Sequence, residues 1–144
     1  QPHIGERFTG WPGGASYSRD GQTRPVATRK TASLAQAVLA TTDAFLFQGD
    51  EWQAFDAMRQ AVRLCRYGYD AYAYAMLALG GIDLVVESAL QPYDVQALIP
   101  VVQGAGGVMT NWSGGDCSGG GQVLAAAHPA LHAEALDWLR AAAV

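Results

Sequence analysis

Three carboxylates occupy positions from which they can do chemistry. Glu87 ends an apolar run that reads as a strand, and Asp94 follows seven positions later, in the first turn of a helix led by Pro92. Both can point into one cleft. A carboxylate placed like Asp94 is a hard oxygen ligand of the kind Mg²⁺ takes, since that ion uses one or two protein carboxylates and completes its shell with water and substrate phosphate. The same group also stabilises its own helix at the positive end of the peptide dipoles. Asp70 poses a similar choice at the start of another helix, after Arg66-Tyr67-Gly68-Tyr69. It is either a cap for unpaired N–H groups or, beside tyrosine rings, an anionic partner for the cationic part of a substrate.

Other chemistries are poorly supplied. The glycine-rich segments 104–107 and 114–121 lack the Gly-Lys-Ser/Thr ending that aims a lysine at phosphates. Ser113 and Ser118 have no Gly-x-Ser-x-Gly elbow, and His128 and His132 have no Glu between them in the metalloprotease pattern. Cys65 and Cys117 lack a second Cys or His at ligand spacing, so they read as ordinary thiols rather than a zinc site.

The elements that must position the carboxylates follow from periodicity. Short β-prone runs at 3–9, 15–18 and 25–28, with turn signals at Trp11-Pro12-Gly13-Gly14 and Asp20-Gly21, predict hairpins that need a neighbour to cover one face. Residues 37–42, Ala-Val-Leu-Ala-Thr-Thr, read as a buried strand. A helix follows, with Asp50 and Glu51 at its start and Phe55, Met58 and Val62 inward. An Ala-rich helix over 70–79 stops at Gly80-Gly81, a strand spans 82–87, and one helix spans 93–104. Strands at 108–112 and 122–127 flank a flexible Gly/Ser connection, and a last helix from Pro129 turns Leu131, Ala135, Leu136 and Leu139 inward. This alternation over 34–144 predicts a layered α/β structure.

The 144 residues are half apolar and 15% charged, which suits one globular unit with a sizeable core. Nine basic against 13 acidic side chains leave a net charge of −4 and no basic stripe, so nucleic acid is not expected as a partner. No apolar run approaches the ~20 residues of a membrane span, and no signal peptide is visible, so neither a membrane nor a non-cytoplasmic setting is expected. The chain opens without Met and at once in strand-like sequence. The expectation is that 1–33 are strands remaining from a truncated N-terminal domain and 34–144 a C-terminal α/β domain.

Leu90-Gln91-Pro92-Tyr93-Asp94-Val95-Gln96-Ala97-Leu98-Ile99-Pro100, followed by Gly104-Ala105-Gly106-Gly107 and Asn111-Trp112-Ser113-Gly114, resembles the second signature of the inositol monophosphatase family. Gly5-Glu6-Arg7-Phe8, Gly13-Gly14-Ala15, Gly80-Gly81-Ile82-Asp83 and Leu124-Ala125-Ala126-Ala127-His128 fall in the family's order. Tyr93 before Asp94, and Tyr67-Gly68-Tyr69-Asp70-Ala71-Tyr72, look like the histidinol-phosphatase branch. Gln103 replaces a frequent Glu, and Tyr69 a frequent Gly of that branch.

The resemblance implies the C-terminal portion of a layered αβαβα sugar-phosphatase fold and Mg²⁺-dependent hydrolysis of a small phosphomonoester, histidinol phosphate to histidinol in histidine biosynthesis. Alternatives are an inositol-phosphate or nucleotide-phosphate phosphatase of the same family, or a non-catalytic α/β module that binds a partner. It further implies that Asp94 is a catalytic Mg²⁺ ligand, that Glu87 faces the substrate, that Asp70 recognises the cationic amino alcohol, and that the protein forms a homodimer as family members often do. The family's first metal signature, Asp-Pro-x-Asp-Gly-Thr, does not occur among these residues. Asp94 would be a lone ligand, and the 144 residues by themselves are expected to be inactive.

Overall fold

Alternation of apolar side chains along short central strands organises the molecule. The computed structural model describes residues 1–31 and 33–144; Ala32, within the segment 1–33 read as the first unit, lies outside the described residues. Strands β1 (Arg7–Trp11), β2 (Gly14–Arg19) and β3 (Gln22–Pro25) form an antiparallel sheet. Strands β4 (Val38–Thr41), β5 (Leu64–Tyr67), β6 (Leu84–Leu90), β7 (Val108–Thr110) and β8 (Gly121–Ala126) form a second sheet in the order β5-β4-β6-β8-β7. Within it β4 runs parallel to β5 and β6, whereas β8 is antiparallel to β6 and β7. The helices are α1 (Asp50–Ala61), α2 (Ala71–Ala78), α3 (Pro92–Val95), α4 (Leu98–Gly104) and α5 (Pro129–Leu139).

Successive strand residues point to opposite faces, and both faces of the five-stranded sheet are covered. Leu39, Leu84, Val86, Leu124 and Ala126 meet α1 and α5 through Phe55, Met58, Leu131, Leu136 and Leu139. Val38, Ala40, Val85, Val123 and Ala125 meet Tyr74 and Leu77 of α2, Val95 of α3 and Val102 of α4. The far side of α2 and α4 is also apolar, and there Ala78, Val101 and Ala105 pack against Ala15 and Val26 of the three-stranded region. Helix α2 is therefore enclosed between two sheets, which is why its sequence is small and apolar all round. The layers run helix, sheet, helix, sheet, in agreement with the α/β layering expected from the sequence.

Close backbone approach lets the small sheet sit on α4. A Cβ at Gly10 would collide with the Pro100 backbone, and one at Gly104 with the Gly14 carbonyl. The connection leaving β3 is tied to the large sheet by Asp83, whose carboxylate is fully buried and takes the Arg29 guanidinium at 2.6 Å from Nε, the Thr31 hydroxyl, and the Val38 N–H at 2.6 Å. Among the described residues no helix is long and apolar enough to cross a membrane.

Several local expectations are corrected. The third strand is 22–25 rather than 25–28, because Asp20 and Gly21 both take positive φ and reverse the chain in two residues, so pairing resumes at once as Arg19 opposite Gln22. Residues 2–4 form a 3₁₀ turn, led by Pro2 and closed by Gly5, and β1 starts only at Arg7. Strand β5 was not anticipated, since Leu-Cys-Arg-Tyr is a short, largely exposed edge without apolar alternation. The single helix expected over 93–104 is two, α3 and α4, because Pro100 has no N–H to donate and its ring crowds the carbonyl four residues back. The connection expected to be flexible is instead organised by Asn111, whose Oδ1 accepts from the Ser113 and Gly115 N–H groups at 3.0 and 2.7 Å.

Candidate active site

Strands β4, β5 and β6 are parallel, and β5 and β6 flank β4 on opposite sides. A crevice forms at the carboxyl ends of strands where chain direction switches sides in this way. A cavity of about 270 Å³ occurs there, lined by Thr42, Leu46, Asp70, Ala71, Tyr74, Glu87, Leu90 and Asp94. Each carboxylate singled out in the sequence reaches it from a different element. Glu87 lies on β6, Asp70 follows β5 and precedes α2, and Asp94 lies in α3, after β6.

Glu87 is almost completely buried. One of its oxygens accepts the Thr42 N–H and hydroxyl, each at 2.8 Å, and the other faces the Thr41 hydroxyl at 3.3 Å. Burial pushes its carboxyl above the ordinary glutamate range, the threonine hydrogen bonds pull it back in part, and the charge of Asp70 adds to the rise. Just beyond Glu87 the β6–β8 register shifts, and Ala89 takes φ 60°. Such a bulge bends the strand and re-aims its side chains.

Asp70 stands at the head of α2 with φ 47° and ψ −139°, and its side chain does not cap the helix. Two of the three non-glycine residues with positive φ, Asp70 and Ala89, therefore border this cavity or the strand that supplies it. Backbone strain of that kind persists only where surrounding structure enforces it. Asp94 does serve its own helix, accepting the Gln91 N–H with Oδ2 at 2.8 Å, while also lining the cavity. Both readings open to it from the sequence coexist in one side chain.

The donor set does not complete a magnesium site. Glu87 is committed to Thr41 and Thr42, Asp94 has one oxygen engaged, and among the described residues no group of three or more His, Cys, Asp or Glu could hold a metal ion. An octahedral oxygen shell needs more than these residues supply.

A second cavity of about 440 Å³ shares Asp70 and Ala71 with the first and is walled by Phe8, Tyr69, Tyr72 and Leu98. Its wall is held by Glu6, which accepts the Tyr72 phenol at 2.6 Å and the Tyr17 phenol at 2.8 Å. These bonds favour the Glu6 carboxylate, lowering its pKa, and push the Tyr72 phenol up to about 12. The Phe8 ring meets Tyr72 edge-on, with centroids 6.2 Å apart. Thr42, Tyr74 and the Glu6–Tyr72 pair were not identified from the sequence. A signal existed for two of them: Thr41-Thr42 directly follows a buried strand, and Tyr74 lies one helical turn after Asp70, on the same face.

The thiols are inert, as expected. Cys65 and Cys117 are unpaired and burial pushes both above the ordinary cysteine range.

Comparison with known proteins agrees with this architecture. A bifunctional phosphatase of Arabidopsis thaliana, IMPL2, chloroplastic, is 44% identical over 114 residues, which cover 79% of this chain and 32% of that protein. A histidinol-phosphatase of Chlorobaculum parvum is 25% identical over 130 residues, covering 90% of this chain and 49% of that one. The solved inositol monophosphatase of Zymomonas mobilis superposes with a TM-score of 0.85 at 37% identity, over 93% of this chain and 53% of its own. The chain thus spans about one third to one half of the length of these relatives. The family model for inositol monophosphatases matches residues 1–142, and the chain belongs to the inositol monophosphatase family.

Proposed function

We propose that this chain supplies part of the active site of a phosphatase that hydrolyses histidinol phosphate to histidinol. The observation that carries the reading is Asp70: a carboxylate with no hydrogen bond or ion pair among the described residues, on a strained backbone, at the wall shared by two cavities. Histidinol is a cation carrying a flat ring. A carboxylate pairs with its ammonium group, and the aromatic walls of the neighbouring cavity suit the ring. Inositol, being neutral, gains nothing from Asp70. The similarity to a histidinol-phosphatase over most of the chain supports the same substrate.

In this reading Glu87, pinned by Thr41 and Thr42, presents a fixed oxygen edge to the substrate. Asp94 contributes one hard oxygen toward Mg²⁺, whose remaining protein ligands come from groups other than the described residues. When bound, Mg²⁺ offsets phosphoryl charge and activates water; the residues described here orient the ester and its cationic leaving group.

The test is steady-state kinetics of the natural gene product on histidinol phosphate and inositol 1-phosphate. Asp70→Asn is expected to raise KM for histidinol phosphate by roughly 10- to 100-fold, the worth of a charge-assisted hydrogen bond, with kcat little changed. Asp94→Asn is expected to reduce Mg²⁺-dependent turnover to background. Mild and equal effects of both substitutions on both substrates would overturn the assignment.

A further inference from the structure

The side chains lining the smaller cavity form an unbalanced set. Asp70, Glu87 and Asp94 are acceptors only when ionised. Thr42 spends both its N–H and its hydroxyl on Glu87, and Leu46, Ala71 and Leu90 have no polar side-chain atom. One side-chain donor is left. The Tyr74 phenol is buried, with the residue only 2% exposed, and its oxygen has no hydrogen-bond partner among the described residues.

A buried hydroxyl without a partner is destabilising, so its retention needs a reason. The neighbouring carboxylates do not provide one, because the Glu87 oxygens face Thr41 and Thr42 and Asp94 Oδ2 takes the Gln91 N–H. Burial, together with the charges of Glu87 and Asp94, holds the phenol well above the ordinary tyrosine range, so it stays protonated and remains a donor. Its partner must be an acceptor. The ammonium group of an amino alcohol has none, whereas phosphate-ester oxygens are strong acceptors. Among the charges acting on the phenol are Glu87 and Asp94 but not Asp70, which stands at the wall shared with the aromatic cavity.

We infer that Tyr74 is a binding residue for the phosphoryl end of the ligand, its buried hydroxyl donating a hydrogen bond to an oxygen of the phosphate ester. A neutral donor suits this place. It meets the anion in a cavity otherwise lined by carboxylates and apolar groups, without neutralising Asp94. The inference rests on the phosphomonoester reading above and adds the residue that grips the end opposite Asp70.

The experiment is calorimetric titration of the natural gene product, in Mg²⁺, with three probes: inorganic phosphate, histidinol phosphate and histidinol. Tyr74→Phe keeps the ring and deletes the hydroxyl. It is expected to weaken inorganic phosphate and histidinol phosphate alike by about tenfold, the size of one hydrogen bond, and to leave histidinol unchanged. The melting temperature of the ligand-free variant is expected to stay the same or rise, because the deleted hydroxyl has no protein partner. Asp70→Asn is expected to do the converse, weakening histidinol and histidinol phosphate and sparing inorganic phosphate.

Unchanged phosphate affinity in Tyr74→Phe, or a lowered melting temperature whatever the affinity, overturns the role of Tyr74. If Asp70→Asn still weakens histidinol in that case, the substrate reading stands without it. If Tyr74→Phe weakens phosphate while Asp70→Asn spares histidinol, the phosphate grip stands and the cationic substrate falls. No binding of any probe by the unsubstituted protein overturns both.

Discussion

At the scale of single residues, the structure separates acids that hold the fold from acids that face the cavity. Asp83 is the first kind: fully buried, gripped by Arg29 and Thr31, and bonded to the Val38 N–H. Burial alone would raise its carboxyl, but hydrogen bonds from Arg29, Thr31 and Val38, with the Arg29 charge, outweigh that and leave it below the ordinary aspartate value of 3.8. A depressed folded pKa contributes stability that is present above the unfolded value and lost as pH falls through the folded one. Arg29→Met would leave a buried carboxylate unpaired, at a cost of about 3 kcal/mol, toward the low end for such losses because Arg29 is partly exposed and water can enter in its place. Urea unfolding across pH tests this: the deficit of the variant is expected to be largest near neutrality and to shrink below pH 3.8. A deficit independent of pH would show that packing of the arginine stem, not charge, is what was lost. Asp70 is the second kind, and its exposure with no partner is what the sequence could not reveal. A residue heading a helix reads as a cap until its side chain is seen pointing elsewhere.

Among elements, contact between the small sheet and α4 decides whether the outer layer docks. Gly104 lets α4 approach the β1–β2 turn so closely that a Cβ would strike the Gly14 carbonyl. Gly104→Ala is expected to cost about 3 kcal/mol, typical of overpacking where backbone rather than a flexible side chain must yield. Denaturant titration reads that loss, and a change under 0.5 kcal/mol, the range of ordinary surface substitutions, would mean that the sheet is not held there. Long, strongly patterned elements were legible in the sequence. The inward faces of α1 and α5 and the buried run of β4 lie where apolar spacing put them. Strand β5 was not, because an edge strand pairs through its backbone and its side chains need no apolar alternation. The break between α3 and α4 was equally hidden: Pro100 is plain in the sequence, but the surrounding apolar spacing continues through it.

For the whole molecule, the four layers bring Asp70, Glu87 and Asp94 to one cavity without completing a metal shell. Magnesium-dependent phosphoryl chemistry needs several hard oxygen ligands held together. The isolated 144-residue chain is therefore expected to show no phosphatase turnover with Mg²⁺ on histidinol phosphate or inositol 1-phosphate. Phosphate release from a preparation whose intact mass is verified as 15.2 kDa checks this, and robust turnover would require a metal site built from these residues alone.

The candidate carboxylates, the signature around Asp94, the α/β class and the inward faces of the long helices were determined by the sequence, because residue type and period are local properties of the chain. Which acids share a cavity was decided by the tertiary structure. Asp70 and Asp94 are brought together by the crossing of β5 and β6 to opposite sides of β4, a non-local pairing that no local pattern encodes. The role inferred for Tyr74 is of the same kind. In the sequence it is one aromatic in an Ala-rich helix, and only packing against the sheet leaves its hydroxyl buried and without a protein partner.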